Sequence, residues 1–418
     1  MSATTKCRSC NSNDLISVIS LGAQYPSNFV NEDYILDEKN NIPLELVLCG
    51  KKDCGLLQLK HTASRVSLYK EYWFRSGLNE TMRKALKDIT EGVEKRIIFS
   101  QDDIVLDIGC NDGTLLRSYQ SKIKLVGFEP ASNLIEQAEH ATTKIINDFF
   151  NFNEFAKHFP GKKCKVITCI AMFYDLEDPN SFVEDIAKCL DFSGIWVIQM
   201  AYLQPMLQQN AFDNIVHEHL EYWSLYSLKN LLERHGFEIF DVELNDLYGG
   251  SFRVFVKHKK NNLIQIHDSV KDLEAKENQY GFSERQTYMD FAKRVNAIKA
   301  DLCNFINEEN SKGKTIYAYG ASTKGNTFLQ FCNLNDKLIK KVADRDPEKL
   351  GKRTIGTNLL IISEEQARKE KPDYFLILPW HFTEFFKERE KKFLDEGGKF
   401  IVPIPKLQII SNQKTSHG

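Results

Sequence analysis

The sequence predicts an α/β protein with two doubly wound, mainly parallel sheets behind a small cysteine-bearing lobe. Three observations carry this. From residue 103 onward apolar runs alternate with helix-like stretches, the pattern of a parallel sheet. A glycine turn follows the first strand of each unit, in "VLDIGCNDG" and in "YAYGASTKGNT". Four cysteines, Cys7, Cys10, Cys49 and Cys54, crowd the N-terminal part. A chain of 418 residues is long for one domain, and 42% hydrophobic content is enough for several cores.

The cysteines form two pairs, "CRSC" and "CGKKDC". Two such pairs can converge on one tetrahedral zinc ion. Four thiolates leave no open coordination position, so the expected zinc is structural; reduced, partly buried thiols are the alternative. The start "MSATTKCRSC" lacks an apolar signal core, and no apolar run is long enough to span a membrane. The expectation is a cytoplasmic protein whose ten cysteines stay reduced. A formal charge of −2, without a basic stripe carrying interleaved aromatics, speaks against nucleic acid as partner. Monomer and dimer both remain open.

Residues 64–100 carry helical periodicity around a turn near Gly77. Within them "YWFRSG" sets Tyr72, Trp73 and Phe74 together, as packing between lobes or as a wall of the active site. "DIVLDIGCNDGTLLRSY" and "KLVGFEPASNLIEQAEH" each read as strand, turn, helix. "KCKVITCIAMFYDL" and "GIWVIQMAYL" are further buried strands, and "FEIFDVELNDLYGGSFRVFVKH" reads as an antiparallel pair. A charged helical connector follows, then a second α/β unit through "IKKVADRDPEKLG", "PDYFLILPW" and "GKFIVPIP". The division expected is 1–62, 63–260, 261–312 and 313–418.

"VLDIGCNDG" is the most informative motif. Asp107 ends a strand; Gly109 and Gly113 let the chain turn and approach a ligand. Asn111 takes the middle glycine place, where asparagine tolerates unusual backbone angles. Glu129 follows at the end of the next strand, where a carboxylate can accept hydrogen bonds from a ribose diol. The pattern resembles motifs I and II of class I S-adenosylmethionine methyltransferases. That resemblance implies Gly109 near the methionine part, Glu129 on the ribose, Asp148 near the adenine, and Met172 in "IAMFYDL" closing the pocket. Asp148 and Asp175 are equally readable as helix caps.

The order of motifs carries a second resemblance. Four N-terminal cysteines, the cofactor motif, "HEHLEYWS", "GGSFRV" and "YGASTKGNT" follow one another along nearly the whole chain. This resembles the sugar C-methyltransferases of deoxysugar biosynthesis. The resemblance implies a class I methyltransferase Rossmann-like sheet, an N-terminal zinc-binding lobe, and a C-terminal Rossmann-like domain that helps hold a nucleotide-linked 4-keto-6-deoxysugar. The departures are Val216, where many relatives carry a tyrosine, Phe74, where a hydroxyl is expected and Tyr72 can substitute, and the missing histidine in "AMFYDLED". They imply a divergent branch, as in surface-polysaccharide synthesis.

Carbon methylation needs a base beside a ketone-activated C–H and a stabilised enolate. Histidine has the right basicity near neutral pH. "HEH" offers His219 as base by resemblance, Glu218 beside it, His217 as second choice, and Tyr222 nearby. An extended loop would point both histidines one way; a helix start would splay them. The HExxH pattern is not met and no third ligand accompanies the pair, so a catalytic metal is not expected. Gly250 in "YGGSFRV" allows close approach, and Arg253 offers a charge partner; a hairpin turn with an ordinary surface arginine is the alternative. Gly320, Ser322, Lys324 and Asn326 surround a helix start suited to a pyrophosphate, and Trp380 is either a platform for a base or sugar, or packed core. The rival readings are a sugar O-methyltransferase and a non-catalytic zinc-ribbon binding protein.

Overall fold

The computed structural model describes residues 2–63 and 75–412, so Tyr72, Trp73 and Phe74 lie outside the described residues. The N-terminal lobe is an antiparallel sheet of β1 (Leu15–Gln24), β2 (Ile42–Cys49) and β3 (Leu57–Leu59). Leu44, Leu46 and Leu48 of β2 alternate inward with the two-residue period of a strand. A fourth strand comes from far along the chain. Glu221–Tyr222 pairs with Leu57 and Gln58, so the "HEHLEY" segment is stitched to this lobe.

Helix α1 (Glu80–Glu94) is capped by Asn79, whose side chain accepts from the Thr81 and Met82 amides. Its Met82, Leu86, Ile89 and Val93 recur at helical spacing and are buried. The methyltransferase sheet contains β4 (Ile104–Ile108), β5 (Lys124–Phe128), β6 (Lys144–Ile146), β7 (Cys164–Ile170) and β8 (Leu190–Ala201). After helix α2 (Leu225–Arg234) it is completed by β9 (Phe237–Asn245) and β10 (Ser251–His258). The order among the described residues is β9-β10-β8-β7-β4-β5-β6. The strands β4 to β8 run parallel, whereas β10 is antiparallel to β8 and to β9. All five residues of β4 are buried because both faces are covered, Ile104, Leu106 and Ile108 in one core and Val105 in the other. The order reverses at β4, which opens a crevice at its C-terminal end.

Helix α3 (Asp268–Tyr280) packs on β9 and α2, and its buried Glu277 accepts from the Leu225 and Tyr226 amides at 2.6 and 2.8 Å. Helix α4 (Arg285–Ser311) does more than connect. Its Tyr288, Phe291, Val295, Ile298, Leu302 and Ile306 enter one core with β1, β2 and the C-terminal sheet. That last sheet holds β11 (Ile316–Tyr319), β12 (Lys341–Asp344), β13 (Leu360–Ser363), β14 (Tyr374–Ile377) and β15 (Lys399–Val402), all parallel. Helix α5 (Thr323–Phe331) follows β11, where this sheet too reverses order. Its far edge is Arg353–Thr354 paired with the N-terminal strand Phe29–Val30. The N-terminal lobe therefore contributes to one α/β lobe and borrows a strand from the other. Among the described residues no helix is long and apolar enough to cross a membrane.

Candidate active site

The turn after β4 uses left-handed backbone at Gly109 (φ 72°), Asn111 (φ 52°) and Gly113 (φ 75°), which glycine and asparagine tolerate. A Cβ at Gly109 would meet only the Met172 side chain, at 3.4 Å. At Gly113 it would come within 2.9 Å of the Ala138 carbonyl, so Gly113 serves packing and does not border the cavity. Glu129, at the end of β5, accepts from the Asn111 and Ala131 amides at 2.8 Å each. Each oxygen keeps lone-pair capacity toward the cavity. Burial raises the Glu129 carboxyl, and the two amides oppose it. Burial likewise pushes Asp107 up to about 7, against the Thr168 hydroxyl that donates to it at 2.6 Å.

A cavity of about 700 Å³ opens at the crevice. Asp107, Gly109, Asn111, Glu129, Asp148 and Met172 border one part of it. Tyr174, Asp175, Asn214, His219, Thr323 and Lys324 border the rest. The volume lies within the range of about 300–1,000 Å³ usual for small-molecule sites. Among the described residues the nearby helices are capped by other side chains, Phe152–His158 by Asn151 and Pro179–Cys189 by Asp178.

"HEH" forms neither the strand nor the helix start considered for it. The His219 amide donates to the Val216 carbonyl at 3.1 Å, closing a turn, and the side chains part. His217 Nε2 lies 3.0 Å from the Ile42 carbonyl of β2, and His217 is buried off the cavity. Burial draws it down to about 4. His219 faces the cavity, with Nδ1 3.2 Å from the Asn214 carbonyl. A carbonyl only accepts, which assigns the proton to Nδ1 and the lone pair to Nε2. Burial and the charge of Lys324 pull His219 down to about 3, so the imidazole is neutral near pH 7. The Tyr174 ring lies against it, centroids 4.4 Å apart. The Tyr222 hydroxyl donates to the same Asn214 carbonyl at 3.2 Å. Glu218 does not border the cavity, and burial raises its carboxyl.

From the opposite wall α5 presents Thr323 and Lys324. Ser322 caps this helix by accepting from the Gly325 amide at 3.0 Å. Lys324 makes no hydrogen bond or ion pair among the described residues; burial lowers it and Asp213 opposes that. Asn326 is buried below and donates to the Asn28 carbonyl at 3.4 Å. Gly320 (φ 86°) is off the cavity, its side-chain space filled by Pro379. Gly250 (φ 118°) borders a small annex behind His219, together with Tyr202, Met206 and Tyr222.

Arg253 and Trp380 also stand off the cavity. Arg253 offers no charge to a ligand. It is buried on the α1 side of the sheet, bonding Asp88 at 2.8 Å, Glu243 at 2.7 Å and Gln199 at 2.8 Å. Trp380 is not a platform; its indole is buried and donates to Asp213 Oδ2 at 3.0 Å. Sequence reasoning also gave no role to Tyr174, Asn214 or Asp213. Tyr174 sat inside a quoted motif, but nothing in the sequence shows a backbone carbonyl at Asn214 as the partner of His219.

The four cysteine sulfurs lie within 4.8 Å of one another, with Cys7–Cys54 and Cys10–Cys49 both at 3.5 Å. A tetrahedral zinc with bonds of about 2.3 Å sets sulfurs roughly 3.8 Å apart. The quartet fits zinc and leaves no ligand position for chemistry.

A mainly parallel seven-stranded sheet with an antiparallel penultimate strand, and a carboxylate-edged crevice at its reversal, define a class I S-adenosylmethionine-dependent methyltransferase. Three family models agree: a zinc binding domain over residues 7–69, a methyltransferase domain over 78–242, and a C-methyltransferase C-terminal domain over 246–405. The C-methyltransferase NovU of Streptomyces niveus is 30% identical over 98% of this chain and 98% of its own. The chain belongs to this family of zinc-binding C-methyltransferases. A tRNA U34 carboxymethyltransferase of Campylobacter jejuni is 28% identical over 33% of this chain and 50% of its own. Among solved structures, the plantazolicin methyltransferase BpumL in complex with a pentazolic desmethylPZN analog and SAH matches 43% of this chain and 86% of its own, at 15% identity and TM-score 0.35.

Proposed function

We propose that this enzyme C-methylates a nucleotide-linked keto-deoxysugar through an enolate. The observation that carries the reading is His219 on the same cavity as the cofactor turn, with its Nδ1 3.2 Å from the Asn214 carbonyl. Bound S-adenosylmethionine supplies an electrophilic methyl group on sulfur. Glu129 receives its ribose, Asp148 lies toward its adenine, and Asn111 and Met172 shape the walls. His219 Nε2 removes the proton from carbon beside the ketone, and the C–H electron pair moves into the enolate. The imidazolium that forms keeps Nδ1–H on Asn214, so the base needs no rearrangement. Lys324 and the start of α5 receive the anionic diphosphate. That anion also offsets the field with which Lys324 depresses His219, so substrate binding strengthens the base. The division into 1–62, 63–260, 261–312 and 313–418 belongs to the same reading, with the C-terminal lobe, 313–418, holding the nucleotide.

Incubating the enzyme with S-adenosylmethionine and a panel of nucleotide-linked keto sugars tests this. Mass spectrometry and NMR of the product should show one added methyl on carbon next to the carbonyl. A methyl ether would establish the O-methyltransferase reading instead.

A further inference from the structure

We propose that Asp213 is a positioning residue through which the C-terminal lobe fixes the base His219. The inference rests on His219 acting as the base. Asp213 lies in the short turn Phe212–Asn214, is 3% exposed and reaches across the lobe boundary to the Trp380 indole at 3.0 Å. Its other oxygen, Oδ1, has no hydrogen-bond partner among the described residues. Burying a carboxylate with one oxygen unbonded is costly; the Lys324 charge partly offsets that cost, and the indole bond ties Asp213 to the C-terminal lobe. The residue before it, Phe212, stacks on Phe328 of α5 (5.3 Å, 20°) and meets Phe331 of α5 edge-on at 5.2 Å. The residue after it, Asn214, offers the one carbonyl that receives both His219 Nδ1 and the Tyr222 hydroxyl.

The turn is thus gripped by the C-terminal lobe at the two residues immediately before the one that orients the imidazole. Helix α5 grips it through the two phenylalanines, and Trp380 grips it through Asp213. The same helix begins with Lys324 on the cavity wall. A substrate anion drawn to Lys324 therefore seats the helix that holds the base in line. Removing the indole–carboxylate bond leaves the cofactor side, built from β4 and β5, untouched.

The test uses the full chain labelled with ¹⁵N-histidine, with S-adenosylhomocysteine bound. The His219 signals are identified by their loss in His219→Asn. In the wild type they should report Nδ1–H and a bare Nε2. In Trp380→Phe and Asp213→Ala they should shift toward a mixture with Nε2–H, and kcat should fall roughly 10- to 100-fold, the scale of a small misplacement, with KM for S-adenosylmethionine unchanged. Asp213→Asn, which keeps an acceptor for the indole, should retain the wild-type signals and most of kcat. The double variant Asp213→Ala/Trp380→Phe should be no slower than the slower single variant. An unchanged His219 tautomer in folded Trp380→Phe overturns the proposal, whatever happens to kcat. Should Asp213→Ala not fold, Trp380→Phe and Asp213→Asn decide alone. Retained turnover in His219→Asn would instead remove the base assignment while the tautomer result still stands.

Discussion

The two α/β lobes use one backbone device for different ends. In each, a first strand ends in a left-handed glycine, Gly109 or Gly320, and a helix or helical turn follows. In each, a carboxylate at the end of the second strand accepts a backbone amide of that turn. Glu129 takes the Asn111 and Ala131 amides at 2.8 Å. Asp344 takes the Ala321 amide at 2.6 Å and the Asp346 amide at 2.8 Å. What differs is the space in front. Beside Gly109 stands a movable Met172 and an open cavity. Beside Gly320 stands Pro379, while Lys349 bonds the Ala321 carbonyl at 3.0 Å and lies over the Phe29 ring of the N-terminal lobe. A glycine turn with a distal acid marks the doubly wound fold; the residues packed in front of it decide whether a cavity opens at that turn, and the C-terminal lobe meets the shared cavity through Thr323 and Lys324 instead.

The largest effect expected is on the lobe that fills the second crevice. Structural zinc sites contribute on the order of 10 kcal/mol to folding. Removing zinc with a strong chelator, or replacing Cys54 with Ser, should release one metal equivalent and lower the melting temperature sharply. A preparation that melts unchanged after complete metal loss would separate the N-terminal lobe from the stability of the other two.

His217 gives a smaller, pH-dependent effect at the same junction. Its folded pKa of about 4 lies below the ordinary value of 6.5, so the unfolded chain binds the proton more readily. The contribution is complete above pH about 6.5 and lost as pH falls toward 4, on the order of 3 kcal/mol. Urea unfolding at pH 7 and pH 4.5 should show a smaller pH difference in His217→Gln than in the wild type. An equal difference would place the sensitivity in other groups.

The carboxylate pair gives the sharpest contrast with the smallest energy. Glu129→Ala should weaken S-adenosylmethionine binding by about 1.5–3 kcal/mol, roughly 10- to 100-fold, as expected for lost bonds to a charged group. Asp344→Ala should leave that affinity unchanged and lower the melting temperature. Titration calorimetry and a thermal melt on both variants check this. Cofactor affinity that responds to Asp344 would erase the distinction between the lobes.

Much of this was legible in the residues. Alternating apolar runs give both parallel sheets because strands covered on both faces must be apolar on both. The close pairs of cysteines and the span from Gly109 to Glu129 survive as geometry because they depend on local backbone and on strand ends. Contacts between elements were not legible. Arg253 and Trp380 carry groups that suit a ligand, yet Glu243 on the paired strand, Asp88 on α1 and Asp213 across the lobe boundary take them up. The turn at His217–His219 follows from a strand pairing between residues 57–58 and 221–222, which no local pattern announces.

The central claim is that His219 takes a proton from carbon. A nucleotide-linked keto sugar held in D₂O with the enzyme and S-adenosylhomocysteine tests it most directly, by NMR of the position next to the ketone. The wild type should exchange that hydrogen for deuterium without methylation, and His219→Asn should bind the cofactor normally and exchange at least about 100-fold more slowly. Equal exchange by the two proteins would contradict the claim.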